Sequence, residues 1–306
     1  DSASPGKLAE LGLDYSSLAS NHGLIHASLT DFGQDGPWCD YVMNDAAHLA
    51  LGGQMASSGY SDPKAPPIGG QGHHAWHMGC AFVLHGITVA LFDRASSGAG
   101  QFIDVSIHDA CAMGTEAAVP QWMYYGSTMH RQTGMHANPR RQQPLQLPTA
   151  DGNYMIAVMQ NFGPRVWEGL IKWMDEKGVT GELHDSKYQD EAYRMLEYRT
   201  GNVVRDAIAR LIAASDGEEC FHRAQSHGIS WGLVQAAEEN YDVSHYKQRD
   251  YWRSIEHPEI GRSIPYPRGP FACDALGIEP RRRAPGLGEN TNDILANDLG
   301  MSSDAI

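Results

Sequence analysis

Short apolar runs of strand length alternate with helical stretches through the first 125 residues, and this order leaves few folds open. Residues 24–29 form a compact apolar run suited to a buried strand. It ends at Asp31-Phe32-Gly33-Gln34-Asp35-Gly36-Pro37, which is rich in turn formers. Residues 45–51 read as a helix, and 57–72 as an irregular loop rich in Gly, Pro and Ser. From 75 to 92 a long helix carries small and apolar residues nearly all round, the pattern of a helix buried on most sides. Ser96-Ser97-Gly98-Ala99-Gly100 turns the chain into a strand at 102–107, and 110–118 is helical again. Strands alternating with helices predict an α/β layered architecture.

After Tyr125 the pattern changes. Residues 126–148 are rich in Gly, Gln, Pro and Arg and read as a linker. Thr149-Ala150-Asp151-Gly152 is a turn leading into a strand at 153–159. Pro164 opens a helix with Val166, Trp167, Leu170, Ile171 and Met174 at helical spacing, and Gly178 closes it. Val203, Val204, Ala207, Ile208, Leu211 and Ile212 mark a second amphipathic helix. The expected organisation is a large α/β domain over 1–125, a linker over 126–148 and a small α+β domain over 149–248. A Pro/Gly-rich tail over 249–306 ends in a helix at 291–299.

The 306 residues are 42% hydrophobic and 20% charged, enough apolar material for a packed core and against wholesale disorder. A formal charge of −14 argues against nucleic acid or an anionic membrane as main partner. A small polyanionic ligand stays open, because a few local cations and helix N-termini can hold one. The five cysteines are widely spaced and form no C-x-x-C, so neither a disulfide framework nor a zinc ribbon is indicated. No uninterrupted apolar run approaches the ~18 residues that span a bilayer. Residues 1–6 lack the features of a secretory leader, and a reduced cytoplasmic setting is expected.

The most unusual local feature is Gly69-Gly70-Gln71-Gly72-His73-His74-Ala75-Trp76-His77. A Gly-rich loop running into a helix can bind an anion through free N–H groups, here at Gly70 and Gly72. It lacks the Lys and Ser/Thr of a phosphate loop. His73 and His77, spaced i,i+4, could share one helix face as metal ligands, but no third ligand is recognisable and no metal is expected. The plainer reading is that these histidines hydrogen-bond in the interior. Asp45 and His48 stand three apart on one helix, an acid–base pair if desolvated and an ordinary helix-face pair otherwise. No G-x-S-x-G is present. Arg140-Arg141 and Arg281-Arg282-Arg283 are cationic clusters where phosphate or carboxylate could dock, or merely solvated charge.

Several segments together resemble the family III CoA-transferases, the group that includes formyl-CoA and carnitine CoA-transferases and the 2-methylacyl-CoA racemases. Residues 24–37, with Phe32-Gly33-Gln34, are similar to the family's strand and FGQ-x-GP loop. Residues 86–106 resemble its helix, TG-x-GQ turn and VDVS strand. Pro148-Thr149-Ala150-Asp151-Gly152 resembles the TADG entry to the small domain, and Ala284-Pro285-Gly286-Leu287-Gly288-Glu289 the P-x-LGEHT signature.

The resemblance implies a large Rossmann-like α/β domain, a small α+β domain, a C-terminal return to the large domain, and an interlocked dimer. It implies a CoA thioester as substrate and a small carboxylate as partner. Gly33 and Gln34 of the matching loop become candidates for holding the CoA, and Gly70, Gly72, Arg140 and Arg141 join them as the anion sites read above from their own chemistry. In the family an aspartate attacks the acyl-CoA carbonyl, passing through an anhydride to an enzyme-bound CoA thioester. Counting back from Gly86, that aspartate falls at Ala75 or Trp76, and no Asp or Glu occurs from 68 to 91. His73, His74 and His77, with Asp45 in support, become the acid–base candidates. The family His of the racemase branch aligns with Asn44, and its neighbouring Asp with Asp45.

Family members also carry about a hundred residues ahead of the point matching Asp1. That segment is expected on a separate chain or removed. Two readings of the chain follow: an acyl-CoA enzyme with altered chemistry (a racemase, isomerase or lyase using His, or a metal-dependent enzyme, being alternatives), or a degenerate subunit. The expected assembly is a homodimer or a heteromer with a catalytic paralogue.

Overall fold

A single turn, α1 (Lys7–Glu10), precedes strand β1 (His26–Thr30), which pairs in parallel with β2 (Phe102–Ser106), His26 opposite Phe102 and Thr30 opposite Ser106. A parallel pair requires a long crossover, and the chain supplies it as α2 (Asp45–Leu51) and α3 (His74–Ser97). The computed structural model describes residues 1–70, 72–115, 117–140, 142–269, 273 and 279–306.

Helix α3 lies on the sheet along a seam of small residues, with Ala75, Gly79 and Ala90 buried. A methyl on Gly79 would stand 3.0 Å from Leu29 Cδ1 and 3.1 Å from Ile107 Cγ1, and one on Gly86 2.9 Å from Ile103 Cγ2. The missing side chains let helix and sheet approach. The expectation of burial on most sides is corrected: Trp76, Phe82, Leu84, Val89, Leu91 and Phe92 are exposed within this chain. One face of small residues satisfies the contact, so the large side chains point away. An 18-residue window within the 24 residues of α3 reaches a mean hydropathy of 1.5, apolar enough by length and composition alone to cross a bilayer, a test that core helices also pass. His85, Gly86 and Thr88 interrupt the run without lowering that average enough.

The helix expected at 110–118 starts earlier and breaks in two. Ser106 Oγ accepts the Asp109 N–H at 3.1 Å and starts α4 (Ile107–Met113), Gly114 ends it, and α5 (Ala118–Tyr125) follows. Leu29, Leu49, Ala75, Ile107 and Cys111 form the core of this layer. The stretch read as a linker carries an antiparallel hairpin, β3 (His130–Gln132) and β4 (Met135–Asn138), turning at Gly134 with φ 70°.

A second, larger core follows. Strands β5 (Gln146–Pro148), β6 (Tyr154–Ile156) and β7 (Gly232–Val234) form a sheet in that order. It accompanies α6 (Pro164–Glu176), α7 (Glu191–Thr200), α8 (Val203–Ala213) and α9 (Gly217–Ser226). Trp167, Leu170, Trp173 and Met174 of α6 pack with Val204, Ile208, Leu211 and Ile212 of α8, as their 3.6-residue spacing predicts.

Asp151 ties the sheet to α9: its carboxylate accepts the Thr149 hydroxyl at 2.5 Å and the Gly217 N–H at 3.1 Å. The Thr149 bond above all, then the Gly217 bond, lowers its pKa from 3.8 to about 2. A depressed carboxylate pKa gives stability that is full above the unfolded value and lost as pH falls through the folded one. Asp151→Asn is therefore expected to flatten the acid limb of thermal stability between about pH 4 and pH 2, read by melting scans. An unchanged limb would show that the bonds persist in the unfolded chain.

The chain divides into two compact units, Asp1–Leu233 and Val234–Ile306. In the second, β8 (Trp252–His257) and β9 (Arg262–Pro267) form an antiparallel hairpin closed by Gly261 at φ 65°. Arg283 pairs there with Glu259 at 3.0 Å and Glu289 at 2.8 Å. The final helix begins at Thr291–Asp293 and widens into a π-helical turn at Ile294–Asp298.

Candidate functional site

Helix α3 starts without a side-chain cap of its own. His73, the residue before it, sits in the left-handed region at φ 59°. The first amides of a helix need acceptors, and here Asp45 supplies one from another helix. Its Oδ1 accepts the N–H of Ala75 at 2.9 Å and of Trp76 at 3.3 Å. Asp45 is held in turn because Asn44 caps α2, its Oδ1 accepting the Ala47 N–H at 2.9 Å.

The expected Asp45–His48 pairing is thereby corrected. His48 is fully buried, with its Nε2 3.1 Å from Asp31 Oδ1, while Asp31 Oδ2 accepts the Met43 N–H at 2.9 Å. The first residue of α2 points to α3 and the fourth into the core. Phe32 and His108 pack on the same His48 ring. Burial, and secondarily the His48 charge, lower the His108 pKa.

His74 opens the site. Its ring lies against Gly70, where a Cβ would stand 2.5 Å from His74 Cδ2, so a larger residue there would have to displace the ring. The side chain lines two adjoining cavities of about 390 and 140 Å³, both also bordered by Gln54 and Ser58. The larger is lined by the apolar Met78, Met129 and Met135 together with the polar Ser57, Thr115 and His136. Gln54 is fixed by donating to the Cys111 carbonyl at 3.2 Å and the Met78 sulfur at 3.3 Å. Cys111 is no nucleophile: burial, helped by the Asp45 charge, raises its thiol to about 11.

Of the three histidines, His74 alone borders these cavities; His73 and His77 are exposed and line neither. Among the described residues no group of three or more His, Cys, Asp or Glu is placed to hold a metal ion. The candidates for holding CoA separate. Gly70 borders the smaller cavity, and Gly72, at φ 81°, is exposed with open space around it. Gln34 borders a different cavity of about 360 Å³ with His26, Ser28 and Phe102; its Nε2 donates to Ser28 Oγ at 2.9 Å and its backbone N–H to Asp104 Oδ2 at 2.9 Å. Gly33, at φ 87°, lies against that same Asp104. Arg140 is exposed after β4, and Arg141 lies outside the described residues. In the second unit Arg281, Arg282 and Arg283 border a cavity of about 480 Å³. Gln54, Met78, Met129 and Met135 were not legible as site residues, because nothing in their local pattern differs from ordinary core or loop.

A family model described as CoA-transferase family III matches residues 1–291. The succinyl-CoA:(R)-benzylsuccinate CoA-transferase subunit BbsE of Thauera aromatica is 28% identical over 298 residues, covering 96% of this chain and 71% of its own length. The alpha-methylacyl-CoA racemase of Homo sapiens is 27% identical over 303 residues, covering 94% and 70%. Among solved structures, a CAIB/BAIF family protein from Brucella suis superposes with a TM-score of 0.72 at 23% identity, covering 95% of this chain and 72% of that one, and shares its fold.

Proposed function

The chain belongs to CoA-transferase family III, and from that premise we propose that it passes CoA from an acyl-CoA to a small carboxylate at the cavity where α3 begins. The observation that carries this reading is the mixed lining of that 390 Å³ space, where Met78, Met129 and Met135 stand with His74, Ser57 and Thr115. Such a space suits an organic acid with an apolar body and a polar end. The relative that uses succinyl-CoA and benzylsuccinate, a carboxylate with an aromatic arm, supports that substrate class.

Purified protein is expected to convert succinyl-CoA and one member of a panel of small carboxylates, benzylsuccinate included, into a new CoA thioester and an equal amount of succinate. Liquid chromatography with mass detection reads both. Met135→Arg, placing a cation in the cavity lining, is expected to lower kcat/KM about 10-fold or more. No new thioester across the panel would overturn the reading.

A second reading, exchange of an acyl α-proton with His74 as base, is favoured by the His74 ring at the cavity and by the racemase relative. Uptake of deuterium from heavy water into the acyl-CoA, without change of its acid, is its signature. We place the protein in the cytoplasm as a homodimer or a heteromer with a second family subunit. The subunit named among the relatives and the exposed Trp122, Met123, Tyr124 and Tyr125 of α5 support assembly. Light scattering on the purified protein, with mass spectrometry of any co-purifying chain, tests this.

A further inference from the structure

We propose that Gln54 selects an acid that carries a hydroxyl group, whose proton the Gln54 side-chain oxygen accepts. This rests on the transferase reading above. The directions of the hydrogen bonds around the larger cavity lead to it. A backbone carbonyl can only accept, so a side chain bonded to one must be giving it a proton. Gln54 Nε2 donates to the Cys111 carbonyl at 3.2 Å and to the Met78 sulfur at 3.3 Å. Those two bonds occupy its amide protons and fix the other terminal atom as the oxygen. The hydroxyls of Ser57 and Ser58 donate to the Gln54 carbonyl at 3.1 and 3.0 Å, and that of Thr115 to the Ala112 carbonyl at 3.0 Å. Gln54, Ser57, Ser58 and Thr115 all line the cavity. Their protons are committed to the chain itself, and what they keep is acceptor capacity. Gln54 Oε1 has no partner among the described residues, and Gln54 borders both adjoining cavities.

A lining of this polarity discriminates among ligand groups. A carboxylate brings more acceptors, and among the described lining residues there is no Lys or Arg to meet it. Seating it on Ser57, Ser58 or Thr115 would first break their bonds to backbone carbonyls. An ammonium would lose its water without gaining a counter-charge, since no Asp or Glu is among those residues either. A neutral hydroxyl needs only what the cavity offers, an acceptor for its proton and methionine beside the carbon that bears it. Gly114 keeps the amide where it is. A Cβ there would stand 2.5 Å from Gln54 Nε2 and 2.7 Å from Met78 Sδ. The Gly114 φ of −77° is open to alanine, so that substitution would displace the amide without a left-handed backbone to strain.

The test gives the full-length protein succinyl-CoA and matched acids that differ by one hydroxyl: benzylmalate against benzylsuccinate, and 2-hydroxyglutarate against glutarate. In a pair that is turned over, wild-type kcat/KM is expected to be about 10-fold or more higher for the hydroxy acid. Gln54→Leu is expected to bring that ratio to about one by lowering the hydroxy acid's value alone. Its melting temperature should match wild type, because the Cys111 carbonyl still accepts the Gly114 N–H at 3.0 Å. Gly114→Ala, which moves the amide without replacing it, should shrink the ratio as well. A wild-type ratio near one would overturn the inference and leave the transferase reading standing. So would a Gln54→Leu loss shared equally by both acids of a pair, the result expected if Gln54 met the amide groups of CoA instead. Wild-type protein that makes no new thioester from any of these acids would overturn both.

Discussion

Gly100→Ala is expected to cost about 3 kcal/mol or more of folding stability, a large part of the ~5–15 kcal/mol typical of a folded domain. The reason is a contact between two stretches of backbone. A Cβ on Gly100 would stand 1.8 Å from the Leu24 carbonyl oxygen, 2.4 Å from its carbon and 2.6 Å from the Leu24 nitrogen. No flexible side-chain end is available to move aside. The approach is also built into the pairing, since the Gly100 N–H donates to the His22 carbonyl at 2.6 Å and the His26 N–H to the Gln101 carbonyl at 3.0 Å. Widening this gap to admit a methyl would pull apart the entry of β1 and β2, whose register begins at His26 and Phe102. Gly98→Ala is the control. Gly98 has φ 71° and a methyl added there would meet nothing within 4 Å, so the only cost is the strain of a Cβ in the left-handed region, about 1 kcal/mol. Denaturant midpoints of the two variants separate clash from conformation. A Gly100→Ala midpoint equal to that of Gly98→Ala would show that the backbone contact carries no such load.

Arg194→Met should destabilise the second core by about 2–4 kcal/mol. Arg194 is 3% exposed and lies over the Trp167 ring at 5.0 Å. Its guanidinium donates to three backbone carbonyls: Tyr188 at 2.7 Å, Gln189 at 2.9 Å and Phe162 at 2.6 Å. These acceptors belong to two separate segments, the 3-10 turn Ser186–Gln189 and the stretch before α6, so the side chain pins both to α7. Burial lowers the Arg194 pKa, and the charges of Glu191 and Asp190 oppose that shift. Methionine fills most of the volume but leaves three carbonyls without their donors, at about 1–3 kcal/mol for each left unsatisfied, before the loops relax toward water. Arg194→Lys keeps the charge yet has no planar fork to span the loops, so it is expected to fall between methionine and wild type. Thermal melts of the three proteins check the order; a methionine variant as stable as wild type would mean the loops hold without the fork.

Much of the architecture could be read along the chain because it is encoded by short-range pattern. The apolar run at 24–29 and the run at 102–107 became β1 and β2, each offset by no more than two residues at its ends. Asp45–Leu51 formed as expected, and Pro164 opens α6, where its fixed φ suits a first helical turn and its missing N–H has no partner to lose. The hairpin within 126–148 was hidden because its strands are only three and four residues long and rich in polar side chains, so no period of two can accumulate. The exposure of α3 was hidden for a different reason: composition tells that a helix is apolar, but only its neighbours decide which face is covered.

The candidate site divides along the same line. From the sequence alone come the α/β order, the resemblance to a CoA-handling family, and the lack of any acid from 68 to 91. The tertiary structure alone decided that Asp45 turns from His48 to the amides of Ala75 and Trp76, that His48 answers to Asp31, and that His74 rather than His73 or His77 borders the cavity. A helix's periodicity records which residues share its own face. The carboxylate that meets a helix end thirty residues away depends on how two helices cross, and that angle is set by packing on the sheet.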